Sequence, residues 1–134
     1  MKQYAVVVLS GSPSLKIASF ERESEIIDYT DFCNLKSLCE TEIDLWEIVN
    51  CQYLSDFIML VAEDGKLRGL RDNLFASFLY GAIPFDYIAG DCVIVHRHET
   101  QSDEMRWLTE IEVQRITDTF RETKFCRVET PIDS

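Results

Sequence analysis

His96 and His98 are the only histidines in the 134 residues, and a single arginine separates them. On a strand, residues two apart project to one face, so both imidazoles would share a face with Cys92. Imidazole and thiolate are zinc ligands, and the same two groups can also work as nucleophile and general base. Neither chemistry is completed by the surrounding sequence. No second pair of ligands follows at a metal-binding spacing, so neither a metal nor another cofactor is expected. For nucleophilic catalysis Cys92, Cys126 or Cys51 would supply the sulfur and either histidine the base. No Gly-rich elbow accompanies any of them, and no catalytic residue is assigned. The Ser10-Gly11-Ser12-Pro13 segment lacks the glycine spacing, the lysine and the following helix of a phosphate loop, and reads as a turn.

Charge offers a different kind of chemistry. Aspartate and glutamate number 24 against 13 lysines and arginines, a formal charge of −11. Residues 21–47 hold nine of those acids and only two bases. Glu21, Glu23 and Glu25 alternate, which on an extended chain spaces carboxylates by about 6.6 Å along one face. With Asp28 and Asp31 they form the candidate partner-binding strip. Such a strip can fill a groove that otherwise holds nucleic-acid phosphates, although the same acids also keep a small domain soluble. The charge argues against direct binding of nucleic acid or of an anionic membrane. The expected partner is another protein, basic if the contact is electrostatic. Trp46, Tyr53, Phe75, Phe78 and Phe85 are mostly core candidates. Were 74–85 an exposed loop, it would suit a partner or homodimer interface.

The elements that must position these groups follow from pattern. The length fits one domain with its own core, and the composition excludes a disordered or low-complexity chain. No apolar run approaches the roughly 20 residues of a membrane helix. Residues 4–9 are too short and too valine-rich for a signal sequence and read as a first strand. Five cysteines without a CxxC pair point to free, mostly buried thiols in a reducing cytosol rather than a disulfide framework.

Residues 4–9 and 15–20 flank a turn-rich linker and form an antiparallel hairpin. Phe32, Leu35, Leu38 and Cys39 recur at helical spacing, predicting a short helix over 31–40 capped by Thr30. Alternation over 43–49 predicts a strand, as does the continuous apolar run 56–62. Asp64-Gly65 signals a turn, with Leu67–Leu70 as a short return strand. The stretch 74–83 is apolar without a clear period, either a buried single helical turn or an insertion on the sheet. Cys92–Val95 reads as a second central strand. Thr109-Glu110-Ile111-Glu112 is a capping box opening a helix to about residue 123, with Ile116 and Phe120 as its anchors on the sheet.

The order of features over residues 56–122 is a buried strand, Glu63-Asp64-Gly65-Lys66, Gly69-Leu70-Arg71-Asp72-Asn73, Asp86-Tyr87-Ile88-Ala89-Gly90, and a second strand. It resembles an uncharacterised domain family of bacterial mobile elements, phages and gut bacteria. Arg71 stands where that family often has proline, and 74–85 is apolar where its members carry a polar loop. The resemblance brings no reaction with it; the matching Gly65, Asn73 and Gly90 have the look of turn and cap residues.

The expectation is a single α+β domain over 1–125 with a short tail over 126–134. Its antiparallel or mixed sheet has about five strands, with two helices, the C-terminal one packed on the sheet. The expected role is that of a non-enzymatic, cytoplasmic accessory protein of a bacterium or its mobile element, acting through protein contacts. The alternative is an acidic inhibitor or nucleic-acid mimic that blocks a basic nucleic-acid-binding host protein. A small Cys/His or metal-dependent enzyme comes third.

Overall fold

The computed structural model describes residues 1–11, 13–101 and 103–123, so the expected tail and Cys126 lie outside the described residues. Two antiparallel hairpins flank one late strand. Strands β1 (Lys2–Leu9) and β2 (Ser14–Glu21) pair from Lys2↔Glu21 to Leu9↔Ser14. Strands β3 (Trp46–Asn50) and β4 (Phe57–Ala62) pair from Trp46↔Ala62 to Asn50↔Ile58. Strand β5 (Cys92–Arg97) inserts between them, with Ile94 opposite Val6 on one side and Met59 on the other. A two-residue strand, β6 (Met105–Arg106), continues the β1 side along the end of β5. The order is β2-β1-β5-β4-β3, and every pairing is antiparallel. The α+β expectation therefore holds in its antiparallel form.

Both faces of this sheet are covered, which explains why β4 reads as an unbroken apolar run rather than an alternation. Phe57, Met59 and Val61 enter one core with Val6, Cys92 and Ile94; Ile58, Leu60 and Ala62 enter the other with Val7, Val93 and Trp107. Helices α2 (Leu74–Tyr80) and α3 (Glu110–Glu122) close the first face through Phe75, Leu79, Val113 and Ile116. Helix α1 (Tyr29–Asn34) and the 3-10 turn Leu35–Leu38 close the second through Phe32, Leu35 and Leu38.

Four expectations change. There are three α-helices, not two. The first is capped by Asp28, not Thr30: Asp28 accepts from the Asp31 amide at 2.8 Å and Asp31 returns the bond, an all-aspartate capping box. The third strand is displaced by a few residues, because the side chains that reach the core are Ile43 and Trp46 while Leu45 stays exposed. Leu67–Leu70 forms a turn, with Leu67 almost fully in solvent. Of the two readings of 74–83 the buried helix holds, as two turns over 74–80 with Phe75, Ala76, Ser77 and Leu79 buried, which removes those four from any interface.

Asn73 holds this region together. Its Oδ1 accepts from the Ala76 amide and caps α2, while its Nδ2 donates to the carbonyls of Val8 and Gly90 at 3.0 and 2.9 Å. Two glycines make that approach feasible for different reasons. Gly90 sits at φ +92°, which side chains resist. At Gly65 the constraint is space, since an added Cβ would lie 2.6 Å from the Ala89 carbonyl oxygen.

Candidate functional site

The two histidines do not converge. Cys92, Ile94 and His96 alternate onto the face covered by α2 and α3, but the strand ends at Arg97 and the chain turns away before His98. The Nε2 atom of His96 lies 3.3 Å from Glu112 Oε2, its Nδ1 faces the Arg97 carbonyl, and its ring meets Phe57 edge-on. Both ring nitrogens thus already face oxygen atoms of the protein. His98 turns its Nε2 to Glu25 Oε2 at 3.2 Å, and its Nδ1 accepts from the Thr100 and Gln101 amides. Those two donors assign the proton to Nε2. Among the described residues, no three metal-ligating side chains gather.

The sulfurs are equally committed. Burial raises the thiol pKa of Cys39 and Cys51 to about 12, and pushes that of wholly buried Cys92 well above the ordinary range. A nucleophilic cysteine must present thiolate, which burial suppresses. Cys33 and Cys39 are half-buried, and the four described cysteines are free thiols. Alkylation at pH 8, followed residue by residue by mass spectrometry, should modify Cys33 well before Cys51 or Cys92. Rapid labelling of Cys92 in the folded protein would reverse this ordering.

The five acids of the predicted strip are scattered among separate tasks. Glu21 ends β2 and faces the N-terminal ammonium at 3.4 Å. Asp28 and Asp31 build the α1 cap, and Asp31 also meets Arg22 at 3.2 Å. Glu25 is held by His98. Glu23 is exposed, with no hydrogen bond or ion pair among the described residues. Because β2 stops at Glu21, the extended face that the Glu21-Glu23-Glu25 spacing requires does not continue through all three.

Two buried anchors escaped sequence reasoning. Arg106 is only 5% exposed, and its guanidinium bridges Glu99 and Glu112 while also donating to the Trp107 carbonyl. Glu112 thus serves three partners: the Thr109 amide, Arg106 and His96. Burial pushes its pKa up, but these contacts outweigh burial and hold it below the ordinary value. Asp91, also buried, accepts from the Ser10 amide and hydroxyl with Oδ1, and from the Glu40 and Thr41 amides with Oδ2. Burial opposes its ionisation, and the same amides more than compensate. Thr41 Oγ1, at 3.4 Å, adds a further contact.

A charged cleft of about 360 Å³ lies between β3–β4 and the 80–89 segment. Lys66 donates to Asp86 Oδ1, and its ammonium stands 4.7 Å from the centre of the Tyr87 ring. The Tyr80 hydroxyl donates to Asp86 Oδ2 at 3.2 Å. Glu47 and Glu63 line the same cleft over a floor of Val49, Val61 and Ile88. Leu67 and Tyr87, 93% and 40% exposed, line it as well, and Ile83 and Phe85 are exposed on the adjoining segment of chain. Lys66 and Asp86 each shift in the direction a salt pair requires. The hydrogen bond is the leading cause in both, raising the lysine and lowering the carboxyl. On the Asp64 side of the same turn, Arg68 meets Asp64 at 3.6 Å and donates to the Glu42 carbonyl.

These features define an α+β domain with one antiparallel sheet covered on both faces and a charged, aromatic-rimmed cleft at its β3 edge. Comparison with protein-family models, with curated proteins and with solved structures finds no match, so the functional argument rests on the residues themselves. No helix among the described residues is long and apolar enough to cross a membrane.

Proposed function

We propose that this protein acts by contact with a basic protein rather than by catalysis. The observation that carries the reading is the division of labour among its reactive groups. The histidines and the described buried thiols are engaged in the interior, whereas acids and large apolar side chains share the surface at 63–67 and 83–87. Exposed large apolar side chains beside solvent-facing polar groups suit a protein contact, whose centre is apolar and whose rim is polar. A charge of −11 steers a basic partner toward the domain and repels nucleic acid. This is the behaviour of an accessory protein of a bacterium or its mobile element, working in the cytoplasm.

The test is affinity capture from a bacterial lysate on the immobilised protein, washed first at about 0.15 M and then at higher salt, where screening shortens below about 8 Å. A basic protein should be retained in the first wash, released in the second, and should re-form the complex when purified. Duplex DNA should not bind. Tight DNA binding at physiological salt, or capture of acidic proteins alone, would refute the reading.

A further inference from the structure

We infer that the cleft beside β3 receives an arginine or lysine side chain of the partner, and that Lys66 is the internal cation this side chain displaces. The inference rests on the basic-partner reading and supplies its contact site. Three observations carry it.

First, the cleft already solves the problem of holding an ammonium. A carboxylate oxygen of Asp86 and the face of Tyr87 flank the Lys66 head group, the combination that recognises organic cations through charge and ring quadrupole together. The Tyr80 hydroxyl fixes the second oxygen of Asp86, so the carboxylate is oriented before any ligand arrives. Second, the cleft is undercompensated. Glu47, Glu63 and Asp86 face one lysine, which leaves a net −2 in a space of about 360 Å³. That volume lies within the range of small-ligand sites, which begin near 300 Å³. Third, Leu67 in the lining of the cleft is exposed and matches the stem of a long basic side chain, which packs its methylenes on apolar surface while its head group stays polar. Among the described residues the adjacent β3 pairs with β4 alone, so an extended basic segment can approach along its other edge.

Lys66 is a modest competitor. It stands on an exposed turn, and an exposed ion pair holds its partner only weakly. An incoming guanidinium makes two parallel bonds to a carboxylate where an ammonium makes one. Displacement frees Lys66 to solvent and leaves the fold untouched.

The experiment titrates the full-length, isotope-labelled protein with a blocked Gly-Leu-Arg-Leu-Gly peptide and with the same peptide carrying glutamate in place of arginine, read by amide chemical shifts. The arginine peptide should shift residues 63–67 and 80–89, and the glutamate peptide should shift neither. Lys66→Ala removes the competitor and should tighten the arginine peptide about five- to tenfold. Asp86→Asn should weaken it by about fivefold or more. Both sites are solvent-facing, and retained spectral dispersion confirms the fold. Shifts confined to residues 21–31, or Lys66→Ala leaving affinity unchanged or weaker, would overturn the cleft while the basic-partner reading stood. A captured basic partner indifferent to Asp86→Asn would do the same. Failure to capture any basic protein would overturn the partner reading, and the peptide titration would still decide the cleft.

Discussion

Arg106→Met should destabilise the protein by about 3 kcal/mol, measured as a fall in the denaturant midpoint at constant slope. The substitution keeps an unbranched stem of similar reach but removes every guanidinium donor. Glu112, whose side chain is mostly buried, would keep only the Thr109 amide and His96, and the Trp107 carbonyl would lose its donor. Breaking a buried pair typically costs about 3–5 kcal/mol, and the lower end applies because Glu99 is largely exposed and can turn to water. A pH signature accompanies the loss. The Arg106 hydrogen bond holds the Glu99 carboxyl at about 2, and Glu112 is lowered as well. Carboxylates depressed in the folded state stabilise it above their unfolded pKa, near about 4.3, and that stability drains away as pH falls toward the folded values. The wild type should therefore lose stability on acidification below about pH 4.5, and Arg106→Met should show a shallower acid limb. A loss below about 0.5 kcal/mol with an unchanged acid limb would show the network to be solvated.

Phe75→Ala should cost about 3–5 kcal/mol, whereas Phe120→Ala should cost about 1–2 kcal/mol, although the two rings touch. Their centroids lie 5.0 Å apart in an edge-to-face pair. Phe75 is wholly buried in the core beneath α2, so its removal leaves a cavity walled by packed side chains. Phe120 is only partly buried near the last turn of α3, where water can follow the truncated side chain. Ile116, one turn earlier and fully buried, is the true anchor of that helix. Thermal unfolding of the two variants decides the matter. Equal losses would mean that α3 seats more deeply than the burial indicates.

The sheet was legible in the sequence where its signal was strong. The first hairpin, the two central strands and the capping box of α3 were all readable, because apolar runs and caps are local properties. The second helix was readable only as one of two alternatives, because Phe75, Ala76, Ser77 and Leu79 bury several sides of α2 at once and erase the helical period. Its usable signal was punctuation: Asn73 capping one end and Gly81 in the left-handed conformation at the other. The Asp28 cap was missed because aspartate at the third helical position is a weaker capping-box cue than glutamate. The cleft was beyond reach for a different reason. Lys66 and Asp86 stand on separate loops twenty residues apart, and only the folded chain brings them together. Sequence spacing likewise put His96 and His98 on one face, but the end of β5 sent each to its own carboxylate.

The position of β5 governs how the chain matures during synthesis. On the ribosome, the first two hairpins emerge long before residues 92–97 do, and neither contacts the other through strand pairing until β5 arrives between them. Until then β1 and β4 each expose an apolar, unpaired edge, the type of surface that recruits other chains. Completion of the core is thus deferred to a late segment, and nascent chains stalled before Cys92 carry two adhesive edges at once. Helix α3 and β6 follow β5 directly, so closure of the sheet and locking of Arg106 between Glu99 and Glu112 come together, late in the synthesis of this domain.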